Sequence, residues 1–123
     1  DSVSSANASL TGSITLFAIA QGTTGIFNNP FSGGAVTFWY RLAAAPATSP
    51  WFFISSTAAG VTQDTGLANG RSWIFTTPFT PPASAPDGTL IPSGTGLVIR
   101  AVGVNANGDA VGTIGTTALT VTP

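Results

Sequence analysis

The sequence contains no lysine, glutamate, histidine, cysteine or methionine, and these absences limit the chemistry that the chain can perform. Without histidine, cysteine or lysine, neither a Ser-His-Asp nor a Ser-Lys arrangement can be assembled. Without cysteine, a disulfide scaffold, a thiolate zinc site and a cysteine nucleophile are excluded. We therefore predict that the protein is not an enzyme and that it uses no cofactor.

Charge is also scarce, because charged residues make up 6% of the chain, against about 25% in ordinary soluble domains. The formal net charge of −1 offers no clustered basic patch for nucleic acid and no polybasic attraction to a membrane. No apolar run approaches the ~18 residues that span a bilayer. So little charge favours a surface that neighbouring subunits cover in an assembly, with a free Thr/Ser-coated domain as the alternative.

What the chain does contain is the composition of β-strands. Hydrophobic residues make up 43% of its 123 residues, which suits one domain with one core. Fifteen glycines and nine prolines interrupt the chain too often for long helices. Apolar and polar residues alternate with period two, so each segment has one inward face. Six segments carry this strand pattern: residues 9–20, 35–42, 51–55, 71–77, 96–104 and 116–122.

The segments between these runs are polar or rich in glycine and proline, as turns and loops are. Residues 57–70 are predicted to be a loop, and residues 78–94 an extended, irregular and rigid connection. The Asn-Gly pair in residues 105–109 predicts a hairpin between the last two strands. Short strands at these spacings predict an all-β fold, an antiparallel β-sandwich of about seven strands.

Four segments resemble bacterial Ig-like domains, namely Ser13–Ala20 (SITLFAIA), Val36–Tyr40 (VTFWY), Ser72–Phe75 (SWIF) and Val98–Asp109 (VIRAVGVNANGD). The resemblance covers nearly the whole chain and aligns these segments with the second, third, fifth and sixth strands. Residues 118–122 would form the closing strand. The resemblance implies an Ig-like fold without catalytic residues, and an extracellular, cell-surface or virion location. Domains of this kind occur in adhesins, surface-layer and appendage proteins, and phage virions.

The chain departs from that family in its long connections at residues 43–50 and 78–94 and in its lack of lysine and glutamate. These departures favour a domain specialised for close packing over a tandem spacer. We predict a sandwich domain over residues 9–123. Residues 1–8 are predicted to be either an N-terminal tail or a strand exchanged with a neighbour.

The alternation predicts which aromatic side chains face outward. Phe38, Tyr40, Trp73 and Phe75 are assigned to the core. An outward patch is expected on the third and sixth strands of the Ig arrangement, which are neighbours in one sheet, and a smaller apolar patch on the opposite sheet. Trp and Arg commonly anchor protein interfaces, and two outward apolar faces indicate contact sites. The candidate interface residues are Trp39, Arg41, Val98, Arg100 and Val102 on one sheet, and Phe17 and Ile19 on the other.

Two alternatives remain for these faces. The long connections, with their own aromatic residues, would cover them in one alternative. In the other, exposed aromatic residues stack on sugar rings, and Trp51 and Phe52 in their proline-flanked segment are the best candidates. We favour contact with proteins, either copies of this chain or other assembly subunits, over binding to a glycan. A register slip of one residue would exchange the two faces.

Few residues suggest any other chemistry. Asp64 and Asp87 are both assigned to loops and would be the only candidates for a pair of glycosidase carboxylates, but ordinary turn aspartates account for them better. Calcium accepts carboxylate and carbonyl oxygens, which Asn105, Asn107 and Asp109 offer. A plain Asn-Gly hairpin accounts for the same three residues, and we favour it, so no metal site is predicted.

Overall fold

The computed structural model describes residues 2–5, 13–21, 35–57, 61–67, 70–104, 107 and 109–121. All regular structure in this part of the chain is β-strand. Eight strands are present: β1 (Ser2–Ser5), β2 (Ile14–Gln21), β3 (Ala35–Leu42), β4 (Phe52–Thr57), β5 (Val61–Leu67), β6 (Gly70–Phe79), β7 (Gly96–Val104) and β8 (Ala110–Thr120).

The strands form two antiparallel sheets of four strands each. We call the sheet with strand order β1-β2-β6-β5 the first sheet, and the sheet with order β4-β3-β7-β8 the second sheet. The central strands, which are the most apolar, pair along their full length: β2 with β6, and β3 with β7. The all-β, sandwich-like architecture predicted from the alternation is therefore confirmed, although the described strands number eight where about seven were expected.

One hydrophobic core lies between the sheets and is built by the period-two alternation. In β3, Val36, Phe38 and Tyr40 are buried while the residues between them are half-exposed. The central strands β2, β6 and β7 alternate in the same way. Phe38, Tyr40 and Phe75 lie in the core as predicted, and the side chain of Trp73 lies outside the described residues. The strands contribute Ile14, Leu16, Ala18, Val36, Phe38, Tyr40, Phe75, Phe79, Leu97, Ile99, Ala101, Ile114 and Leu119.

The two sheets also contact each other through specific pairs of side chains. The ring centroids of Tyr40 in β3 and Phe79 in β6 lie 5.5 Å apart. At the β4 edge, the hydroxyl groups of Ser55 and the buried Thr77 form a hydrogen bond of 2.6 Å. Because Thr77 is the buried polar residue on the inner face of β6, this bond satisfies a group that burial removes from water.

Residues 57–70 were predicted to be a loop, and this prediction is wrong for most of the segment. Residues 61–67 form β5, an edge strand that pairs with β6, with Asp64 opposite Arg71. Its sequence, VTQDTGL, lacks the apolar alternation by which the other strands were recognised. Asp64 is therefore a strand residue and not a turn aspartate. Similarly, β8 begins at Ala110, six residues before the predicted start at 116.

Residues 78–94 were predicted to be irregular, but part of this connection is a small hairpin. Ser84 and Leu90 form an antiparallel bridge, and the Ala85 N–H donates to the Thr89 carbonyl at 2.7 Å. The turn has Pro86 and Asp87 at its centre and is followed by Gly88, whose φ of 91° favours glycine. Pro-Asp-Gly is a strong turn signal, so the sequence contained the information for this hairpin.

The N-terminal strand belongs to the first sheet. Residues Ser2–Ser5 form β1, which pairs antiparallel with β2 of the same chain, with Ser4 opposite Phe17. The segment is thus seated against its own domain in this structure. Exchange of this strand between copies stays a prediction.

Candidate interaction surface

The outer face of the second sheet brings together the five residues predicted on it. The β3–β7 pairing places Trp39 opposite Arg100, Arg41 opposite Val98 and Thr37 opposite Val102. All of these residues are half-buried, and the residues that alternate with them point into the core. The predicted register is therefore the observed one, and the two arginines occupy diagonal positions on neighbouring strands.

Trp51 lies over both arginines. The guanidinium carbon of Arg41 is 4.4 Å from the centroid of the Trp51 ring, and that of Arg100 is 4.3 Å from it. Arg41 also contacts the loop that joins β3 to β4, because its Nη1 donates to the Ala47 carbonyl oxygen at 3.3 Å. We call Arg41, Trp51 and Arg100 the Trp51 cluster. Trp51 thus covers part of the outer face.

Phe53 is the most exposed aromatic side chain on this face, at 55% exposure. Its ring meets Trp39 edge to face, with centroids 5.2 Å apart and an interplanar angle of 77°. The indole N–H of Trp39 donates to the Thr37 hydroxyl at 2.9 Å, and that hydroxyl donates to the Val102 carbonyl at 3.0 Å. Trp39 is therefore fixed in place and presents an apolar surface beside Phe53.

The register of β4 explains why Phe53 points outward. Phe53 pairs with Trp39, but Ser55 pairs with Phe38, so Ile54 is an extra residue in the edge strand. This β-bulge lets both Ile54 and Ser55 turn toward the core, where Ile54 packs and Ser55 reaches Thr77. Sequence reasoning did not include Phe53 in the patch. The signal was the consecutive pair Phe52-Phe53, of which one ring must point outward in a strand.

Phe52, one of the two candidates for sugar stacking, is half-buried on the inner side of β4. Phe52 packs against the core, and its ring centroid lies 5.4 Å from that of Tyr40. Phe52 pairs with the inward Tyr40, so the same alternation turns its ring toward the core, and a role in sugar stacking stays a prediction. Trp51 keeps partial exposure, but two guanidinium groups lie within 4.4 Å of its ring. Phe53 is the better platform on this face.

The positive charge of the Trp51 cluster is partly removed from water. Burial, followed by the nearby charge of Arg41, lowers the pKa of Arg100. The Arg100 Nε is buried and has no hydrogen-bond partner among the described residues. No carboxylate of the described residues is among the causes of this shift, although an acidic neighbour would raise that pKa. Within the described part of the chain, the cluster therefore holds two like charges, and no acidic side chain neutralises Arg100.

A groove of about 320 Å³ adjoins the cluster at one end of the second sheet. Asp87 lines it together with Arg41, and its pKa is lowered first by the backbone N–H of Thr89, which donates to Asp87 Oδ1 at 3.0 Å, and then by the Thr89 hydroxyl. Arg41 is not among the causes of this shift. The groove is lined by Arg41, Leu42, Ala44, Ala45, Pro46, Ser49, Pro50, Phe52, Asp87 and Thr89.

The second predicted patch lies on the outer side of the first sheet. Phe17 and Ile19 are half-buried, as expected for outward positions of β2. Ile19 pairs with Ile74 of β6, which is also half-buried, and Phe17 pairs with the exposed Thr76. This patch is apolar and, within the described side chains around it, contains no charged group. It is less exposed than Phe53 on the second sheet.

The remaining candidates give no cation site in the described residues. Asn107 and Asp109 are exposed near the start of β8, and Asn105 lies outside the described part of the chain. Among the described residues, no group of three or more His, Cys, Asp or Glu side chains is placed to hold a metal ion. Of the two hypothetical glycosidase carboxylates, Asp87 is exposed, and the side chain of Asp64 lies outside the described residues.

Comparison with protein-family models, with curated proteins and with solved structures gives no match to this chain. The described part of the chain contains no helix of the length and apolar character needed to cross a membrane.

Proposed function

We propose that this chain is a non-catalytic, Ig-like module of an extracellular assembly, such as an appendage, a surface layer or a virion. In this proposal it acts through protein–protein packing, with copies of itself or with other subunits. The main support is the outer face of the second sheet, where the exposed Phe53 and the half-buried Trp39 adjoin the Trp51 cluster.

The order of the strands supports the Ig-like part of the proposal. In Ig domains, strands A, B, E and D form one sheet and C, F and G the other, and variable-type domains add a C′ strand beside C. Taking β1 to β8 as A, B, C, C′, D, E, F and G gives the two observed orders, A-B-E-D and C′-C-F-G. The extra strand β4 accounts for the difference from seven strands.

Two features of the surface support packing against a protein. Trp and Arg are enriched among the residues that anchor interfaces, and both lie on this face beside an exposed phenylalanine. The edge strands β4 and β8 carry β-bulges, but they contain neither a charged residue nor a proline, two other features that commonly block pairing with another chain. A nearly uncharged chain with such edges suits a role in which neighbours cover it.

The test is the mass of the native particle by light scattering, with negative-stain imaging of the same sample. We expect filaments, lattices or discrete oligomers. The variant Phe53→Ser should weaken association about tenfold, because an interface aromatic is worth more than about 1 kcal/mol. The matched control is Leu90→Ser, which removes an even more exposed apolar side chain, 73% exposed, in the connection between β6 and β7.

A single species near 12.3 kDa at all concentrations would count against the assembly role. Equal effects of Phe53→Ser and Leu90→Ser would show that exposed apolar area in general, and not this face, drives association.

A carbohydrate-binding or adhesin module is the second candidate, favoured by the exposed Phe53 ring beside Trp39. Sugar rings stack on exposed aromatic faces, and threonine hydroxyls nearby would bond sugar hydroxyls. A glycan-array screen tests this role. Hits that disappear in Phe53→Ala would support it, and an array without hits, or hits that this variant retains, would rule it out.

A further inference from the structure

Two of the three basic residues of the chain meet at one aromatic ring. Arg41 and Arg100 both lie within 4.4 Å of the Trp51 centroid, and they are close enough for the charge of Arg41 to lower the pKa of Arg100. Like charges normally separate unless the structure holds them together. Here adjacent strands fix their backbone positions, and the Trp51 ring lies against both side chains.

The two arginines differ in access. The hydrogen bond from Arg41 Nη1 to Ala47 lies at the exposed surface. Arg100 is more enclosed, since its Nε is buried without a hydrogen-bond partner among the described residues. Both guanidinium groups are already oriented by stacking on Trp51, so less conformational entropy remains to be lost when an anion binds.

Among the described residues around the cluster, no acidic side chain neutralises the positive charge of Arg41 and Arg100. The pKa of Arg100 is lowered, with burial first and then the charge of Arg41 as the causes, and no described carboxylate is among them. Asp87 lines the groove beside Arg41, but Thr89 is the residue that lowers its pKa. A partly buried cation without a counter-charge gains more from an incoming anion than an exposed cation does, because water screens it less.

We propose that the Trp51 cluster binds an aspartate or glutamate side chain carried by an apolar segment of a partner protein. This inference rests on the proposed packing function and names the chemistry of the partner. Arg41 would make the direct ion pair, and Arg100 would add its charge from the more enclosed side. Phe53 and Trp39 provide the apolar surface against which the flanking residues of the segment pack, which a free inorganic anion would not use.

The experiment uses the full chain, labelled with ¹⁵N, and the capped peptide acetyl-Val-Asp-Val-amide as the probe. Its matched control is acetyl-Val-Asn-Val-amide, which has the same size without the charge. Spectra follow the indole N–H of Trp51 and the Nε–H of Arg100 during titration. We expect saturable shifts of both signals with the Asp peptide, and binding at least about tenfold weaker with the Asn peptide.

Two substitutions locate the site. Arg41→Gln should weaken binding of the Asp peptide about tenfold, and Arg100→Gln should weaken it about threefold. Thr76→Ala, at an exposed position on the outer side of the first sheet, should leave the affinity unchanged. Dispersed spectra would show that each variant is folded, and Arg41→Gln provides the test if Arg100→Gln does not fold. Asp87→Asn removes a negative charge at the neighbouring groove and should strengthen binding slightly.

Three results would overturn the inference. Equal affinity for the Asp and Asn peptides would show that the charge is not recognised. Equal shifts with inorganic phosphate would make the cluster a general anion site. Self-association that depends on Arg41, without peptide binding, would make a second copy of this chain the occupant. The proposed function fails separately, since native particles that remain monomeric would remove it whatever the peptides do.

Discussion

Tyr40 connects three parts of the fold at the scale of a single residue. Its ring lies 5.4 Å from Phe52 in the edge strand and 5.5 Å from Phe79 in the opposite sheet. Burial, and secondly the negative charge of Asp87, raise the pKa of its phenol. One side chain thus reports both on the packing between the sheets and on the charge of the Pro-Asp-Gly turn.

Tyr40 is expected to make the fold sensitive to high pH. Because its folded-state pKa is raised, it contributes stability that is present below its unfolded pKa of about 10 and is lost as the pH rises through the folded value. Urea unfolding between about pH 8 and pH 12 should show this decline. In Tyr40→Phe the decline should be shallower, and an unchanged slope would contradict the assignment.

Asp87 is expected to make the stability of the fold depend on pH in the acidic range. The Thr89 hydrogen bonds lower its pKa, so its contribution is present above the unfolded value near 3.8 and is lost as the pH falls through the folded value. Between these limits the chain has no lysine, glutamate, histidine or cysteine side chain to titrate.

Among the strands, the edge strand β4 contributes to both the outer face and the core because of its bulge. Phe53 points to the outer face, while Ser55 turns inward to the buried Thr77. The hydroxyl pair joins the second sheet to the first near this edge. An ideal strand would not place Ile54 and Ser55 on the same side.

The pair of hydroxyl groups can be tested by a double-mutant cycle. Ser55→Ala should destabilise the protein by about 1–2 kcal/mol, because it leaves the buried Thr77 hydroxyl without its main partner. Adding Thr77→Val removes the stranded group, so the double variant should lose less than the sum of the two single variants. Urea denaturation measures each value, and strict additivity would show that the two hydroxyl groups do not interact.

The hairpin around Gly88 is a second local element whose signal lies in the sequence. Pro86 and Asp87 suit the central turn positions, and Gly88 adopts a φ of 91° that other residues rarely adopt. The hairpin positions Asp87 at the groove beside Arg41. The turn chemistry, and not hydrophobic alternation, determines this element.

At the scale of the whole molecule, the shortage of charge determines how the protein meets its surroundings. Seven charged residues in 123 leave apolar and hydroxyl-bearing surface to make contacts. Association through such surface depends on burial, which is insensitive to simple salt, whereas a surface ion pair weakens as salt rises.

We therefore expect the two proposed contacts to differ in their response to salt. Raising NaCl from about 50 to about 500 mM should change self-association less than about threefold, while it weakens binding of the Asp peptide several-fold. Light scattering and the peptide titration measure the two responses on the same samples. Self-association that collapses in salt would show that charge, and not the Phe53 face, drives the packing.

Alternation in the sequence was enough to predict the strands at the centre of the fold and the faces that they present. Residues 35–42 and 96–104 were predicted with the boundaries that the structure has, and the outward register of Trp39 and Arg100 followed from the alternation. Alternation is a local property of an extended chain, so it is visible in a single sequence. It failed for β5, which has no alternation, and for the start of β8, where bulges break it.

The composition of the candidate surface depends instead on contacts between distant parts of the chain. Trp51 lies over Arg100, which is 49 residues away in the sequence, because the β3–β4 pairing of Tyr40 with Phe52 brings the preceding Trp51 beside Arg41 and hence near Arg100. The exposure of Phe53 and the inward turn of Ser55 depend on a bulge that the β3–β4 pairing creates. Such contacts depend on the path of a loop and on the register between strands, and neither is encoded by the periodicity of any one segment.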